Sequence, residues 1–191
     1  MITLFFDTET NGLPKSWKAP MSEVENWPRI IQLAWAVYDG SELMESRVDM
    51  IRPDGWVIPR EKFWLDHGYS TEASLETGIP ITDAITPLAD AIEVADVMVA
   101  HNLSFDKNIV GAEMIRLGIT TVNKPKKICT MNSSTKFCAL PGQYGLKWPK
   151  LEELHDKLFG TDAGQQHDAL KDVLITAKCY FELLRLGIID V

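Results

Sequence analysis

The arrangement of hydrophobic positions near the N-terminus predicts three consecutive β-strands. They are the apolar run at residues 3–6, IIQLAWAVYDG at 30–40 and ESRVDMIRP at 45–53. Asp39-Gly40, at the end of the second run, is a dipeptide typical of a tight turn. We therefore expect an antiparallel meander of three strands.

The middle of the chain alternates between irregular and periodic segments. Residues 13–29 have no clear period and predict a loop, whereas residues 55–87 are rich in turn residues and include a short helix at TEASLETG (71–78). Apolar residues then recur at helical spacing from Leu88, and DVMVAHN (96–102) predicts a short buried strand.

The following residues predict two helices and one more strand. SFDKNIVGAEMIRLG (104–118) is typical of a helix with Ser104 as its N-cap and Gly118 at its end. KKICTMNSS (126–134) predicts a fifth strand, and LEELHDKLFG (151–160) predicts a helix that its glycine ends.

The last helix is expected to begin near Asp168, which we interpret as its N-cap. Its apolar stripe consists of Leu170, Val173, Leu174, Ala177, Phe181 and Leu184. Three strands, then alternating helices and strands, then helices predict an α/β fold with a mixed sheet and helices on its faces. Because neither a repeat nor a linker is evident, we expect a single domain over residues 1–191.

Composition predicts a globular protein without a membrane-spanning segment. Of the 191 residues, 46% are hydrophobic and 24% charged, and no apolar run is long enough to cross a bilayer. Cys129, Cys138 and Cys179 form no C-x-x-C pair, which favours reduced thiols in the cytoplasm. The net charge of −8 argues against a wide nucleic-acid-binding face, but allows contact with a few nucleotides when cations are bound.

Acidic residues recur at three predicted element ends, where functional groups of open α/β sheets tend to lie. Asp7 and Glu9 follow the first strand and point to the same side of it. Asp106 closes the motif HNLSFD, and Asp172 closes HDALKD, which begins with His167. Carboxylates beside a core repel one another, and two magnesium or manganese ions would offset that cost.

Each member of this set also has a simpler interpretation. Asp106 could merely favour a helix N-terminus, and His101 is more typical of a hydrogen-bonded structural histidine. His67 could order its loop, and His155 is expected to be partly exposed on an amphipathic helix. The ordered combination, rather than any one residue, indicates a function.

That combination resembles the DEDDh family of 3′–5′ exonucleases. The resemblance rests on Asp7-Thr8-Glu9, on HNLSFD and on H-x-A-x-x-D ending at Asp172, and it extends from residue 4 to about residue 185. The family includes the proofreading epsilon subunit of bacterial DNA polymerase III, ribonuclease T and oligoribonuclease. It implies a ribonuclease H-like fold, with a five-stranded mixed sheet whose second strand is antiparallel, flanked by helices.

The resemblance also implies a chemistry. Two Mg²⁺ or Mn²⁺ ions would be held by Asp7, Glu9, Asp106 and Asp172, and His167 would act as the general base. Hydrolysis would release nucleoside 5′-monophosphates one at a time from a 3′ end.

Residues implied to bind the terminal nucleotide surround the acidic pair. They are Thr8, Thr10, Asn11, Gly12, Leu13, Asn102 and Phe105. Thr10 and Leu13 could equally be a turn residue and a core contact. Trp17, between Lys15 and Lys18, either stacks on a base or packs over the edge of the sheet.

The basic residues and the end of the sequence suggest how the protein could bind nucleic acid or a polymerase. Six lysines could flank the groove or form a solvated face: Lys124, Lys126, Lys127, Lys136, Lys147 and Lys150. The epsilon subunit carries a further tail that binds its polymerase, whereas this sequence ends at Val191, soon after its last predicted helix. We therefore expect a free-standing exonuclease or a differently docked subunit. A DNA polymerase or replication partner remains an open alternative.

The leading hypothesis is an exonuclease acting on single-stranded DNA 3′ ends, in replication proofreading or repair. The same chemistry on RNA or short oligoribonucleotides is the alternative among enzymes. A non-catalytic nucleic-acid-end or polymerase-binding module and a structural metal-binding domain are the alternatives of other classes.

Overall fold

Five strands form the central sheet of the computed structural model, which describes residues 1–161 and 168–191. The strands are β1 (Ile2–Thr10), β2 (Ile30–Asp39), β3 (Glu42–Met50), β4 (Val97–Ala100) and β5 (Lys126–Cys129), in the order β3-β2-β1-β4-β5. Adjacent strands of the β1–β2–β3 meander are antiparallel, whereas β4 runs parallel to β1 and β5 parallel to β4. The predicted meander and the predicted mixed sheet are confirmed.

Helices cover both faces of this sheet. On one face lie α3 (Ile81–Val94) and α4 (Leu103–Leu117), and on the other α5 (Thr130–Cys138), α6 (Leu151–Phe159) and α7 (Ala169–Arg185). Neighbouring residues of β1 serve opposite cores, because alternate side chains of a strand point to opposite faces. Leu4 and Phe6 therefore pack in the α3–α4 core, and Phe5 packs in the core on the other face.

Three smaller elements complete the fold. The short helices α1 (Lys62–Asp66) and α2 (Thr71–Thr77) follow β3, and a hairpin of β6 (Pro141–Gly142) and β7 (Gly145–Leu146) joins α5 to α6. The sequence did not predict the hairpin, because strands of two residues are too short to show alternating apolar and polar positions. Among the helices in the described part of the chain, none has the length and apolarity that crossing a membrane requires.

Several predicted boundaries are wrong. The first strand continues to Thr10 rather than ending at residue 6, and the third spans Glu42–Met50 rather than 45–53. The fifth strand ends at Cys129 and residues 130–134 begin α5, where the Ser134 hydroxyl donates to the Thr130 carbonyl (2.7 Å) one turn earlier. Helix α3 begins within the stretch predicted to be irregular and contains Pro87. Because Pro87 has no N–H, it cannot donate the helical hydrogen bond to the Asp83 carbonyl. That carbonyl instead accepts from Nη2 of Arg47 at 3.0 Å.

Helix ends were predicted with mixed success. Gly118 ends α4 and Gly160 ends α6, both with left-handed φ, and the Asp168 carboxylate caps α7 by accepting from two backbone N–H groups at 3.1 and 3.2 Å. Ser104 is not the N-cap of α4, because the chain turns at Asn102 in the left-handed region and the helix begins at Leu103.

The predicted exposure of His155 is also wrong. His155 is buried between α6 and α7, where its Nδ1 lies 3.0 Å from the Thr161 carbonyl and its Nε2 3.1 Å from Nζ of Lys178. Both ring nitrogens are thereby engaged, and this supports a structural role for the residue.

Candidate active site

Asp7 and Glu9 lie near the C-terminal end of β1, opposite Ala34 and Gln32 of β2. Both share the face of Phe5, whose ring packs edge-on against Tyr180 of α7 with centroids 5.2 Å apart. The acidic pair therefore points toward the helix that carries the third acid.

Asp172 completes a group of three carboxylates. It lies in the first turn of α7, and its backbone N–H donates to the carbonyl of the N-cap Asp168 at 3.0 Å. One oxygen from each of Asp7, Glu9 and Asp172 lies within 4.8 Å of the other two. Two distant stretches of the chain thus supply one cluster of hard oxygen ligands.

Gln32 fixes the start of α7 beside this cluster. Its Oε1 accepts from the backbone N–H of Ala169 at 3.0 Å and from the Tyr69 hydroxyl at 3.1 Å. Burial and the nearby carboxylates of Glu9 and Asp168 raise the pKa of Tyr69, which keeps this hydroxyl a donor. Sequence reasoning missed Gln32 and Tyr69, because nothing in their local pattern distinguishes them from ordinary strand and loop residues.

Asp106 approaches the group from α4. It is buried in the first turn of that helix, and its Oδ1 accepts from the backbone N–H (3.1 Å) and the hydroxyl (2.8 Å) of Thr8. Because Thr8 stands between Asp7 and Glu9, these bonds hold the fourth acid next to the other three. Thr8, predicted to bind substrate, uses both of its donors on Asp106.

Burial and mutual repulsion raise the free energy of the ionised carboxylates and therefore their pKa values. Burial, then the charges of Asp106 and Glu9, raises the pKa of Asp7 well above its usual range. Burial and the charge of Asp172 raise the pKa of Glu9 to about 7. Burial also raises the pKa of Asp106 to about 7, against the opposing effect of its bonds to Thr8. This set of hard oxygen donors fits divalent cations, because positive charge would relieve the repulsion.

Two adjoining cavities meet at the acids. The first, about 370 Å³, contains the four carboxylates. It is closed by residues after β4 and around the starts of α4 and α6: His101, Asn102, Phe105, Lys150, Leu151 and Glu152. The second, about 570 Å³, is lined by Thr10, Gly12, Leu13, Phe63 and Trp64. They share Thr8, Glu9 and Phe105, so an aromatic chamber opens directly beside the acidic one.

Of the predicted substrate-binding residues, some line a cavity and others hold the surrounding loops in place. Leu13 is 73% exposed and lines the aromatic chamber, so its interpretation as a core contact is wrong. The Thr10 hydroxyl donates to the Gly12 carbonyl at 2.8 Å, which is the turn role left open for it. Asn11 uses its side chain on the backbone of Arg29 (2.9 Å) and Val57 (3.2 Å), so it orders loops around the chamber.

Trp17 lies against Phe105 of α4. The ring centroids are 5.8 Å apart at an angle of 42°, and Trp17 is 60% exposed. Since Phe105 borders both cavities, Trp17 extends an aromatic surface outward from their junction.

Phe63 and Trp64 of α1 are site residues that sequence reasoning missed. The indole Nε1 of Trp64 donates to the Thr10 carbonyl at 3.0 Å, which fixes α1 beside the end of β1. The signal available was an aromatic pair, KFWLD, inside a stretch with no apolar period.

The predicted histidines have different outcomes. His101 has Nδ1 2.9 Å from the Thr130 hydroxyl and Nε2 3.0 Å from the Pro149 carbonyl, and burial lowers its pKa, which supports the structural interpretation. His67 is half-buried and its Nδ1 lies 2.6 Å from the Phe63 carbonyl. His167, predicted as general base, lies outside the described residues.

The lysines predicted to flank a groove do not share one surface. Lys150 lines the acidic cavity, and Lys147 pairs with Glu153 at the start of α6. Lys124 and Lys127 line a separate apolar cavity beside α4, and Nζ of Lys126 donates to the Asp190 carbonyl at 3.1 Å.

A carboxylate cluster at the strand ends of a mixed α/β sheet is the kind of site that nucleases use to hold divalent metals. The sequence matches the exonuclease family of the ribonuclease T type over residues 4–180, and the chain belongs to that family of nuclease hydrolases. No curated protein sequence matches the chain.

Solved structures similar to this one include exonucleases I. Escherichia coli exonuclease I in complex with a dT13 oligonucleotide has a TM-score of 0.74 at 19% identity, over 97% of this chain and 42% of that one. The zinc-bound E. coli exonuclease I–single-stranded DNA complex has a TM-score of 0.73 at 20% identity, over 97% and 40%. Exonuclease I of Methylocaldum szegediense has a TM-score of 0.71 at 20% identity, over 96% and 40%. The chain thus spans about two fifths of the length of these proteins, and the likeness confirms the ribonuclease H-like fold.

Proposed function

We propose that this protein is a divalent-metal-dependent 3′–5′ exonuclease that removes nucleoside 5′-monophosphates from single-stranded DNA. The observation that carries the proposal is the cluster of Asp7, Glu9 and Asp172 oxygens, within 4.8 Å of one another beside an aromatic chamber. The acids suit the scissile phosphate with its metal, and the chamber suits the terminal base. Membership of the exonuclease family supports the same reaction.

Asp7, Glu9 and Asp172 would hold two Mg²⁺ or Mn²⁺ ions, with Asp106 beside them. When bound, such ions supply positive charge to the phosphate and acidify water. The E. coli exonuclease I complex with single-stranded DNA and zinc supports a site of this type on this fold.

The other residues would bind and orient the substrate. Phe63, Phe105 and Leu13 would enclose the terminal base and sugar, while the Thr8 bonds would keep the Asp106 carboxylate aimed at the cavity. His167, five residues before Asp172 in the sequence, would accept the proton of the attacking water. This role rests on the family resemblance of HDALKD.

The preference for DNA over RNA is supported by the oligodeoxynucleotide that the similar E. coli enzyme binds. The test uses 5′-labelled DNA and RNA of one sequence, each incubated with magnesium, manganese or a chelator and resolved on a sequencing gel. A metal-dependent ladder shortening from the 3′ end is expected, and faster with DNA. Asp7→Asn is the control for a contaminating nuclease. A faster RNA ladder would make the protein an exoribonuclease, and intact substrates with both metals would favour a binding module.

A further inference from the structure

The β6–β7 hairpin and the two residues after it expose three large apolar side chains to solvent. Tyr144 is 94% exposed, Trp148 65% and Leu146 50%. The segment is nevertheless structured, because β6 pairs with β7 and the Lys147 N–H donates to the Leu140 carbonyl at 3.0 Å. Three large apolar side chains exposed within residues 144–148 of an ordered segment indicate a binding surface rather than a random exposure.

This hairpin leads directly into the wall of the acidic cavity. The chain runs from Trp148 through Pro149 to Lys150, which lines the cavity with Leu151 and Glu152. The Pro149 carbonyl, 3.0 Å from Nε2 of His101, fixes this junction to the end of β4. Two residues of chain span at most about 7 Å, so the Trp148 backbone lies close to the cavity mouth.

The charge of the segment is opposite to that of the protein. Residues 141–150 contain two lysines and no acid, in a chain with a net charge of −8. Lys147 pairs with Glu153, and Nζ of Lys150 lies 3.4 Å from Glu152. Such partly exposed pairs contribute little stability, so a phosphate can replace either glutamate at small cost.

We propose that the β6–β7 hairpin and the adjoining Trp148 form a stacking platform for single-stranded nucleic acid, holding the nucleotides upstream of the last two at the 3′ end, which dT2 lacks. Bases stack on Trp148 and, farther from the cavity, on Tyr144, while Lys147 and Lys150 meet the phosphates. The inference rests on the proposed function, which places the 3′ end in the cavity that Lys150 borders. Stacking on aromatic rings tolerates any base, as an exonuclease that shortens a mixed sequence requires.

The test compares a short and a long substrate. Magnesium-dependent kcat/KM is measured on 5′-phosphorylated dT2 and dT12 for the wild type, Trp148→Ala and Trp148→Phe. Gln143→Ala is the matched control, since Gln143 is an exposed, non-aromatic residue of the same hairpin. Trp148→Ala is expected to lower the dT12-to-dT2 ratio by about 5- to 100-fold, the range for one stacked base. Trp148→Phe should keep most of the ratio, and Gln143→Ala all of it.

Equal ratios in all four proteins would overturn the proposal, as would an equal loss on both substrates in Trp148→Ala. If the wild type cleaves neither substrate, the proposed function fails. Fluorescence anisotropy of labelled dT12 in chelator then tests separately whether Trp148 contributes to binding. Weaker binding by Trp148→Ala would then uphold the platform. Binding unaffected by the substitution, or none by the wild type, would contradict it and leave a protein as the partner of this surface.

Discussion

Thr8 and Asp106, 98 residues apart in sequence, are joined by two hydrogen bonds to a single oxygen. The backbone N–H and the hydroxyl of Thr8 both donate to Oδ1 of Asp106, at 3.1 and 2.8 Å. The bonds connect the strand that carries Asp7 and Glu9 to the helix that carries the fourth acid. They also favour the ionised form of a buried carboxyl whose pKa is about 7.

Replacing Thr8 with Val removes the hydroxyl and keeps both the side-chain volume and the backbone bond. Because the acceptor is charged above its pKa of about 7, the loss in unfolding free energy should be about 1.5–3 kcal/mol at pH 8 and smaller at pH 5. Urea unfolding at the two pH values measures it, with Thr8→Ser as the control that keeps the hydroxyl. An equal loss at both pH values would mean that Thr8 acts through packing.

Metal-free protein should lose stability as the pH rises toward neutrality. Since the pKa of Glu9 is about 7 in the folded chain and 4.5 normally, the folded state binds the extra proton between these values. Stability therefore falls from about pH 4.5 to 7, by about 3 kcal/mol from Glu9 alone. Urea unfolding in chelator measures the decline, and saturating magnesium should reverse it.

Glu9→Gln provides the matched control for that decline. Without a charge at residue 9, the variant should be more stable than the wild type at pH 8 in chelator, and its pH profile should be flatter. It should also gain less from magnesium, because one of the proposed ligands is absent. A variant that is less stable than the wild type at pH 8 would show that repulsion is not the main cost at this site.

The acidic cluster was predictable because its geometry follows from local rules. Alternation along β1 places Asp7 and Glu9 on one side, and the N-cap Asp168 sets where α7 begins and hence where Asp172 lies. The centre of the sheet was predictable for a similar reason, since β1, β2 and β4 contain apolar runs bounded by turn residues. None of these steps required knowledge of distant contacts.

What the sequence did not predict depends on long-range contacts. Phe63 and Trp64 reach the site only because the Trp64 indole bonds to Thr10, 54 residues earlier. Pro87 remains inside α3 because Arg47 from β3 satisfies the freed carbonyl. His155 is buried against α7, where its Nε2 lies 3.1 Å from Nζ of Lys178. A local pattern contains no information about these partners.

Asp7→Asn tests the assignment of the metal ligands. The amide keeps the shape of the side chain but removes the charge of the residue in the middle of the four-acid group. Magnesium binding measured by calorimetry should fall below detection, and exonuclease activity should be lost more completely than in any other single variant. Asp168→Asn is the matched control, because asparagine also caps a helix and Asp168 is not in the three-acid cluster. Magnesium binding unchanged in Asp7→Asn would remove Asp7 from the ligand set.

His167→Ala separates proton transfer from metal binding. If His167 is the general base, turnover should fall by about 10²- to 10⁴-fold. The rise in Tm on adding magnesium should match that of the wild type, because the carboxylates are intact. Gln166→Ala, one residue earlier, controls for changes to the segment itself. Near-normal turnover in His167→Ala would assign the base to another group.

Phe63→Ala tests whether the aromatic chamber holds the terminal base. Unlike the hairpin variants, it should affect short and long substrates alike. Phe63 is 46% exposed on α1 and packs edge-on against Trp64 with centroids 5.5 Å apart, so its loss should leave the Tm nearly unchanged. If the chamber holds the terminal base, kcat/KM should fall by about 5- to 100-fold on dT2 and dT12 alike, because every substrate has a 3′-terminal base. Leu65→Ala, an exposed residue of the same helix that does not line the chamber, is the control. A loss confined to dT12 would place Phe63 on the path of the preceding nucleotides and leave the terminal base to be held elsewhere.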